Sequence, residues 1–195
     1  MKTTIISMIT ALLIISAPSF SQLERGNILA GGDIANFQLG LEEGSAFSME
    51  LDPKLAFFIR DNVALGGYLN FGLQTLPNTT GTITSYGVGG LGRYYLRGRS
   101  DINPVKNSRL FFEGNAGISG VNIPEGSNTN GLGLGIGPGF AYFITDNVGL
   151  ETLLKYNAMI GFGNETVQSN LNLNVGFQIY LPSRRTRERI QSDIQ

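Results

Sequence analysis

The sequence predicts an all-β fold: an eight-stranded antiparallel up-and-down transmembrane β-barrel. Three observations carry that prediction. Eight stretches alternate apolar and polar residues at period two, so each would form a strand with one greasy and one polar face. A secretion signal precedes them. Charged residues make up only 15% of the chain, well below the roughly 25% of ordinary domains, which leaves too few charges to coat a soluble β-protein.

The elements follow in order. Residues 1–21 read as a signal peptide: Lys2 supplies the positive start, and Ile5 to Ile15 the apolar core. That core is short of the roughly 20 residues a spanning helix needs, and Ser19 and Ser21 precede a cut at Gln22. The barrel domain is expected over 22–181 and a short basic periplasmic tail over 182–195. The first strand, 27–39, is weakly patterned, with Ile28, Ala30 and Ile34 outward. The second, 47–59, sets Phe47, Met49, Leu51, Leu55, Phe57 and Ile59 against Ser48, Glu50, Asp52 and Lys54. The third, 63–73, points Val63, Leu65, Leu69, Phe71 and Leu73 out. In the fourth, 84–96, Tyr86, Val88, Tyr94 and Leu96 face out and Arg93 in. The fifth, 110–121, opposes Leu110, Phe112, Ala116 and Ile118 to Glu113, Asn115 and Ser119. The sixth, 131–144, has glycine at nearly every inward position. The seventh, 148–159, turns Glu151 and Lys155 inward, and the eighth, 170–181, alternates without a break from Leu171 to Leu181.

Tight turns are expected at Arg60-Asp61-Asn62 and Thr145-Asp146-Asn147. With the N-terminus in the periplasm they fall on that side, and looser loops fall outside. Pro53 and Pro138 lie inside strands and each removes a ladder hydrogen bond, so a bulge is expected at either position. Alternation alone does not say which face is outside. Eight rows of large apolar residues would overfill an eight-stranded lumen, whereas the opposite face is rich in Gly, Ala, Ser and Asn. Aromatic residues near strand ends (Phe37, Phe47, Phe57, Phe71, Tyr94, Phe112, Tyr142, Tyr156) also suit interfacial girdles.

The residues exclude several chemistries. The chain has no cysteine and no histidine, so thiolate chemistry, the commonest general base and the commonest metal ligand are all missing. Neither a catalytic nor a metal site is expected, and no cofactor. The net charge of −1 argues against nucleic acid as a partner. A Gly-x-Gly-x-x-Gly pattern at Gly87, Gly89 and Gly92 lies within a strand and opens no helix, so it reads as barrel packing. Asn78-Thr79-Thr80 and Asn164-Glu165-Thr166 match a glycosylation acceptor by loop composition. The outer loops carry Glu42, Glu43, Glu125 and Glu165, and the other end carries Arg60, Arg97, Arg99, Lys106, Arg109 and the tail arginines Arg184, Arg185, Arg187 and Arg189. Ordinary solvation accounts for both, with divalent cations at the acidic rim and anionic partners at the tail as the functional reading. One constellation stands out: the inward charges Glu50, Asp52, Lys54, Arg93, Glu113, Glu151 and Lys155, a mixed-sign set expected to form a satisfied network filling the lumen. Within it, Arg93 and Glu113 lie at equal offsets from one hairpin and are expected to pair.

Several segments carry a likeness: Phe20-Ser21-Gln22 at the signal end, Arg93 to Leu96 (RYYL), Phe111 to Gly117 (FFEGNAG) and Ala141 to Glu151 (AYFITDNVGLE). With the strand pattern, they resemble the small outer-membrane β-barrel proteins of Bacteroidetes, relatives in architecture of the OmpA and OmpX barrels. Asn174, Gly176, Ile179 and Leu181 resemble the C-terminal signature of such barrels. The resemblance implies a bacterial outer-membrane location, recognition by the barrel-assembly machinery and contact with outer-membrane lipid. The expectation is a monomer with a non-enzymatic structural or interaction role. A narrow channel or small-ligand-binding barrel is the alternative, and a soluble secreted lipocalin-like lipid carrier a further one.

Overall fold

Period-two alternation is realised as eight strands: β1 (Ile28–Leu39), β2 (Phe47–Arg60), β3 (Val63–Thr75), β4 (Thr82–Tyr95), β5 (Ser108–Asn122), β6 (Thr129–Phe143), β7 (Val148–Gly161) and β8 (Val167–Leu181). Each pairs antiparallel with its neighbours in sequence, and β8 returns to β1 to close the barrel. Closure matters because the first and last strands pair instead of each presenting an open sheet edge across the barrel wall. The computed structural model describes residues 21–39, 47–75, 81–96, 107–124, 128–162 and 167–183. The signal core, the acidic loop positions, both acceptor asparagines, Arg97, Arg99, Lys106 and the tail arginines lie outside the described residues.

Seven of the strands, β2 to β8, run one to three residues further at one or both ends than the alternation suggested, while β1 begins one residue later and β4 and β6 each end one residue earlier. The added residues are mostly Thr, Ser, Asn and Gln at the loop end, and they pair across to their neighbours, as Thr75 does with Thr82. The apolar face is the outer one. Leu173 is 63% exposed and Val175 53%, while Asn172, Asn174 and Gln178 on the alternate positions are buried. A soluble lipid carrier needs the reverse arrangement, so that reading is set aside.

Both tight turns form, each with its own chemistry. Asn62 takes a left-handed conformation (φ 65°), which Asn tolerates better than most side chains. Its N–H donates to the Leu23 carbonyl at 2.8 Å, and Asp61 Oδ1 accepts from the Arg25 N–H at 2.9 Å. In the other turn, Thr145 Oγ1 accepts from the N–H groups of Asn147 and Val148 at 3.2 and 3.1 Å. A short 3₁₀ helix, Ser21–Leu23, precedes β1, and Leu23 is buried in the core beneath it. The Ser183 N–H donates to Asn27 Oδ1 at 3.0 Å, so the segment entering β1 and the segment leaving β8 are tied together.

The prolines need no bulge, contrary to expectation. On one side each holds its place in register, Pro53 opposite Gly32 and Pro138 opposite Phe112. On the other side the β2–β3 ladder passes from Leu51↔Phe71 to Lys54↔Tyr68, and the β6–β7 ladder from Ile136↔Tyr156 to Gly139↔Leu153, with no shift of register. A strand residue bonds to only one of its two neighbours. Each proline therefore interrupts a single ladder and leaves the other intact.

Two other features set the shape of the interior. Gly89 and Gly117 face each other across β4 and β5 and point inward. A Cβ at either would lie 2.3 Å from a backbone carbonyl oxygen of the facing strand, so only glycine allows the sheet to curl this tightly. The closing seam is short: β1 pairs with β8 from Ile28↔Leu181 to Ile34↔Val175, whereas β8 stays paired with β7 as far as Ile160↔Val167.

Placing a charge on the outer face tests the orientation. Leu173→Arg should cost roughly 2–4 kcal/mol if the position lies near the bilayer midplane, whereas Leu173→Phe should be nearly neutral. Reversible unfolding in lipid vesicles measures both.

Candidate functional site

Aromatic doublets organise one end of the lumen. Phe57-Phe58, Tyr94-Tyr95, Phe111-Phe112 and Tyr142-Phe143 all sit where their strands approach the turn end. Because neighbouring residues of a strand face opposite ways, each doublet puts one ring into the outer belt and one into the barrel. Phe58, Tyr95, Phe111 and Phe143 are the inner members, and Tyr180 of β8 joins them. Their rings pack in tilted and edge contacts, with centroids 5.4 Å apart for Tyr95–Phe111 and 5.1 Å for Phe143–Tyr180. Leu23, Leu29, Leu91 and Leu153 complete this plug. Glycine makes room for it: a Cβ at Gly139 would come within 2.2 Å of the Phe111 ring.

A charged layer lies directly above the plug. Glu113, only 1% exposed, is its centre. Directly opposite it in register, Arg93 donates from Nη2 at 2.6 Å and from Nε at 3.1 Å. Lys54 Nζ reaches Glu113 at 3.2 Å and Lys155 Nζ at 3.7 Å. Arg93 Nη1 also binds Glu151 at 2.7 Å, and the guanidinium lies 4.1 Å from the Phe111 ring centroid, a cation–π contact. Lys54 pairs in turn with Asp33 at 2.5 Å, whose other oxygen accepts from Gln178 Nε2 at 2.9 Å. Plug and layer are joined by hydroxyls: Tyr180 donates to Glu151 at 2.5 Å, and the Tyr95 and Tyr180 hydroxyls are 2.9 Å apart.

Glu50 and Asp52 stand one level nearer the loop end. Asn70 Nδ2 donates to Glu50 Oε1 at 2.5 Å and to Asp52 Oδ1 at 2.6 Å, and Asn174 Nδ2 reaches Asp52 Oδ2 at 3.3 Å. The seven inward charges named from the sequence thus divide into a turn-side set (Lys54, Arg93, Glu113, Glu151, with Lys155 at its upper edge) and a loop-side pair. Asp33, Gln178, Asn70 and Asn174 belong with them but carried little signal. Asp33 lies on the weakly patterned first strand, and amides are common on any polar face. The aromatic plug was signalled by the doublets. Gly87 and Gly89 of the glycine pattern lie inside β4 and face the lumen. Among the described residues no group of three or more acidic, His or Cys side chains could hold a metal.

No protein-family model matches the chain, and no curated protein sequence does. Solved structures do. Neisserial surface protein A aligns at 17% identity and a TM-score of 0.51, over 78% of this chain and 94% of that one. The outer membrane protein OprG from Pseudomonas aeruginosa aligns at 11% and 0.54, over 84% and 99%. The chain has the closed eight-stranded barrel fold of outer-membrane proteins. At such identities the likeness is one of fold.

Two measurements probe the layer. Arg93→Ala or Glu113→Ala should each destabilise by about 3–5 kcal/mol, because the surviving buried charge loses its shortest ion pair and keeps only part of its compensation. The double variant should lose much less than the sum in a double-mutant cycle by reversible unfolding. Tyr180→Phe removes the donor to Glu151 and should cost about 1–3 kcal/mol in the same assay.

Proposed function

We propose that the mature chain is a monomeric outer-membrane barrel of a Gram-negative bacterium with a non-enzymatic structural or interaction role. On this reading residues 1–21 are removed during export. The barrel-assembly machinery reads the last strand, and the tight turns face the periplasm. The resemblance to the Bacteroidetes barrels supports this placement, as does the apolar outer face.

One observation carries the role: at the turn end the lumen is filled from wall to wall. Five aromatic rings close it, and the buried ion pairs of Glu113 lie across it immediately above. An eight-stranded barrel is just wide enough for side chains to fill, and here large ones do so. Passage of a hydrated solute would require several ion pairs and ring contacts to part together. Catalysis has little to draw on, since the chain lacks histidine and Lys54 and Lys155 are engaged by carboxylates. What remains is the surface formed by the loops and the lipid-facing wall.

The protein in planar bilayers should give no sustained porin-like conductance, and liposomes containing it should not swell in sugars. Steady conductance on the scale of a general porin would replace this reading with the channel.

A further inference from the structure

The chain enters the barrel beneath the aromatic plug along one closely held segment. Leu23 is buried in the plug, and its carbonyl accepts from the Asn62 N–H at 2.8 Å. The Arg25 N–H donates to Asp61 Oδ1 at 2.9 Å, and the Gly26 N–H to the Phe58 carbonyl at 2.7 Å. Asn27 folds the segment back on itself: its Nδ2 donates to the Gln22 carbonyl at 3.1 Å, and its N–H to the Glu24 carbonyl at 3.2 Å. Residues 22–27 are thus fixed to the end of β2 and to the turn that follows it, and the position of Gln22 is fixed with them.

Gln22 is only 8% exposed, and its Oε1 is buried with no hydrogen-bond donor. Buried polar atoms are nearly always paired, so a glutamine kept inside in this way calls for an explanation. The same residue is the one that export would leave first, since the signal pattern places the cut between Ser21 and Gln22. Removal of residues 1–21 takes Ser21 from the short 3₁₀ turn and converts the Gln22 nitrogen into a free amine. An α-amine is mostly protonated at neutral pH. The cut by itself would therefore set a full positive charge at a buried position, which is costly unless the charge is paired. Were the cut one residue to either side, Ser21 or Leu23 would come first, and neither side chain can cancel an amine. Glutamine can.

We propose that Gln22 is a modification site, and that the mature chain begins with the pyroglutamyl residue formed from it; the inference rests on the removal of residues 1–21 set out above. The α-amino nitrogen of Gln22 attacks its own side-chain carbon, Cδ. A bond forms between that nitrogen and Cδ, and the bond from Cδ to Nε2 breaks. Nε2 leaves as ammonia, taking a proton given up by the attacking nitrogen. Nothing is oxidised or reduced, and no second reactant is consumed. The product is a neutral five-membered lactam with one N–H donor in place of an ammonium. The ring closes on the exported chain before the segment folds, and folding then buries an uncharged end beneath the plug. An aminopeptidase would find neither a free amine nor a loose end to grip.

The test is the N-terminal peptide of the protein isolated from the membranes of the bacterium that makes it. The protein is unfolded in guanidinium and its free amines are dimethylated, so that no ring can close during later handling. Cleavage before Asp33 then releases residues 22–32 for mass spectrometry. The expected peptide begins at residue 22, carries no label at its N-terminus and is lighter by one ammonia than the encoded sequence. Pyroglutamyl peptidase should shorten it by one residue and expose the amine of Leu23. A peptide beginning with labelled, uncyclised Gln22 as the main form would overturn the proposal and leave the export reading standing. A chain that begins at any other residue, or that retains residues 1–21, would overturn the export reading and the proposal with it.

Discussion

A carboxylate cut off from water has to be compensated by positive charge and hydrogen bonds, and Glu113 meets that demand from three strands at once. Lys54 comes from β2, Arg93 from β4 and Lys155 from β7. Each of those cations carries its own desolvation cost, which Asp33 and Glu151 help to offset from β1 and β7. The chain of obligations runs around the barrel. It is met only if every strand keeps its register, since a one-residue slip would turn a charge out into lipid. A single buried acid therefore constrains the alignment of the whole sheet, much as a buried polar residue fixes the register of a coiled coil.

Room for these groups comes from what other strands omit. β6 offers glycine at each inward position from Gly131 to Gly139, so the lumen has one bare wall onto which its neighbours' side chains lean. Phe111 covers Gly139, and Asn115, Asn157 and Lys155 gather over Gly135. Contents are consequently distributed unevenly in height as well as around the axis: rings at the turn end, ions in the middle, and open polar space toward the loops.

Most of the fold was legible because alternation at period two is a direct physical consequence of a wall with lipid on one side. Eight strands, their order and their facing follow from it, as does the proximity of Arg93 to Glu113 across the fourth hairpin. Strand ends were less legible, since Thr and Ser serve equally in ladders and loops. The expectation of bulges at Pro53 and Pro138 failed for a definite reason: one missing donor interrupts one ladder only. Asp33 went unnoticed on the weakest strand. The aromatic plug was written in four doublets, of which only the outward members fitted the expected belt. Charge type and facing were readable, but the division of the inward charges into a central layer and a loop-side pair was not. That division depends on heights set by stagger around the closed sheet.

The short seam between the first and last strands has a consequence for how the molecule is completed. The two strands that must meet there are the first and the last of the barrel, and their backbone ladder spans only Ile28–Ile34 against Val175–Leu181. Asp33 bridges this junction from inside, accepting from Gln178 on one flank and Lys54 on the other. While the two strands are apart, Gln178 cannot reach Asp33 and half of the clasp is absent. The barrel is locked by side chains where its backbone pairing is shortest, so closing the seam also completes its interior chemistry.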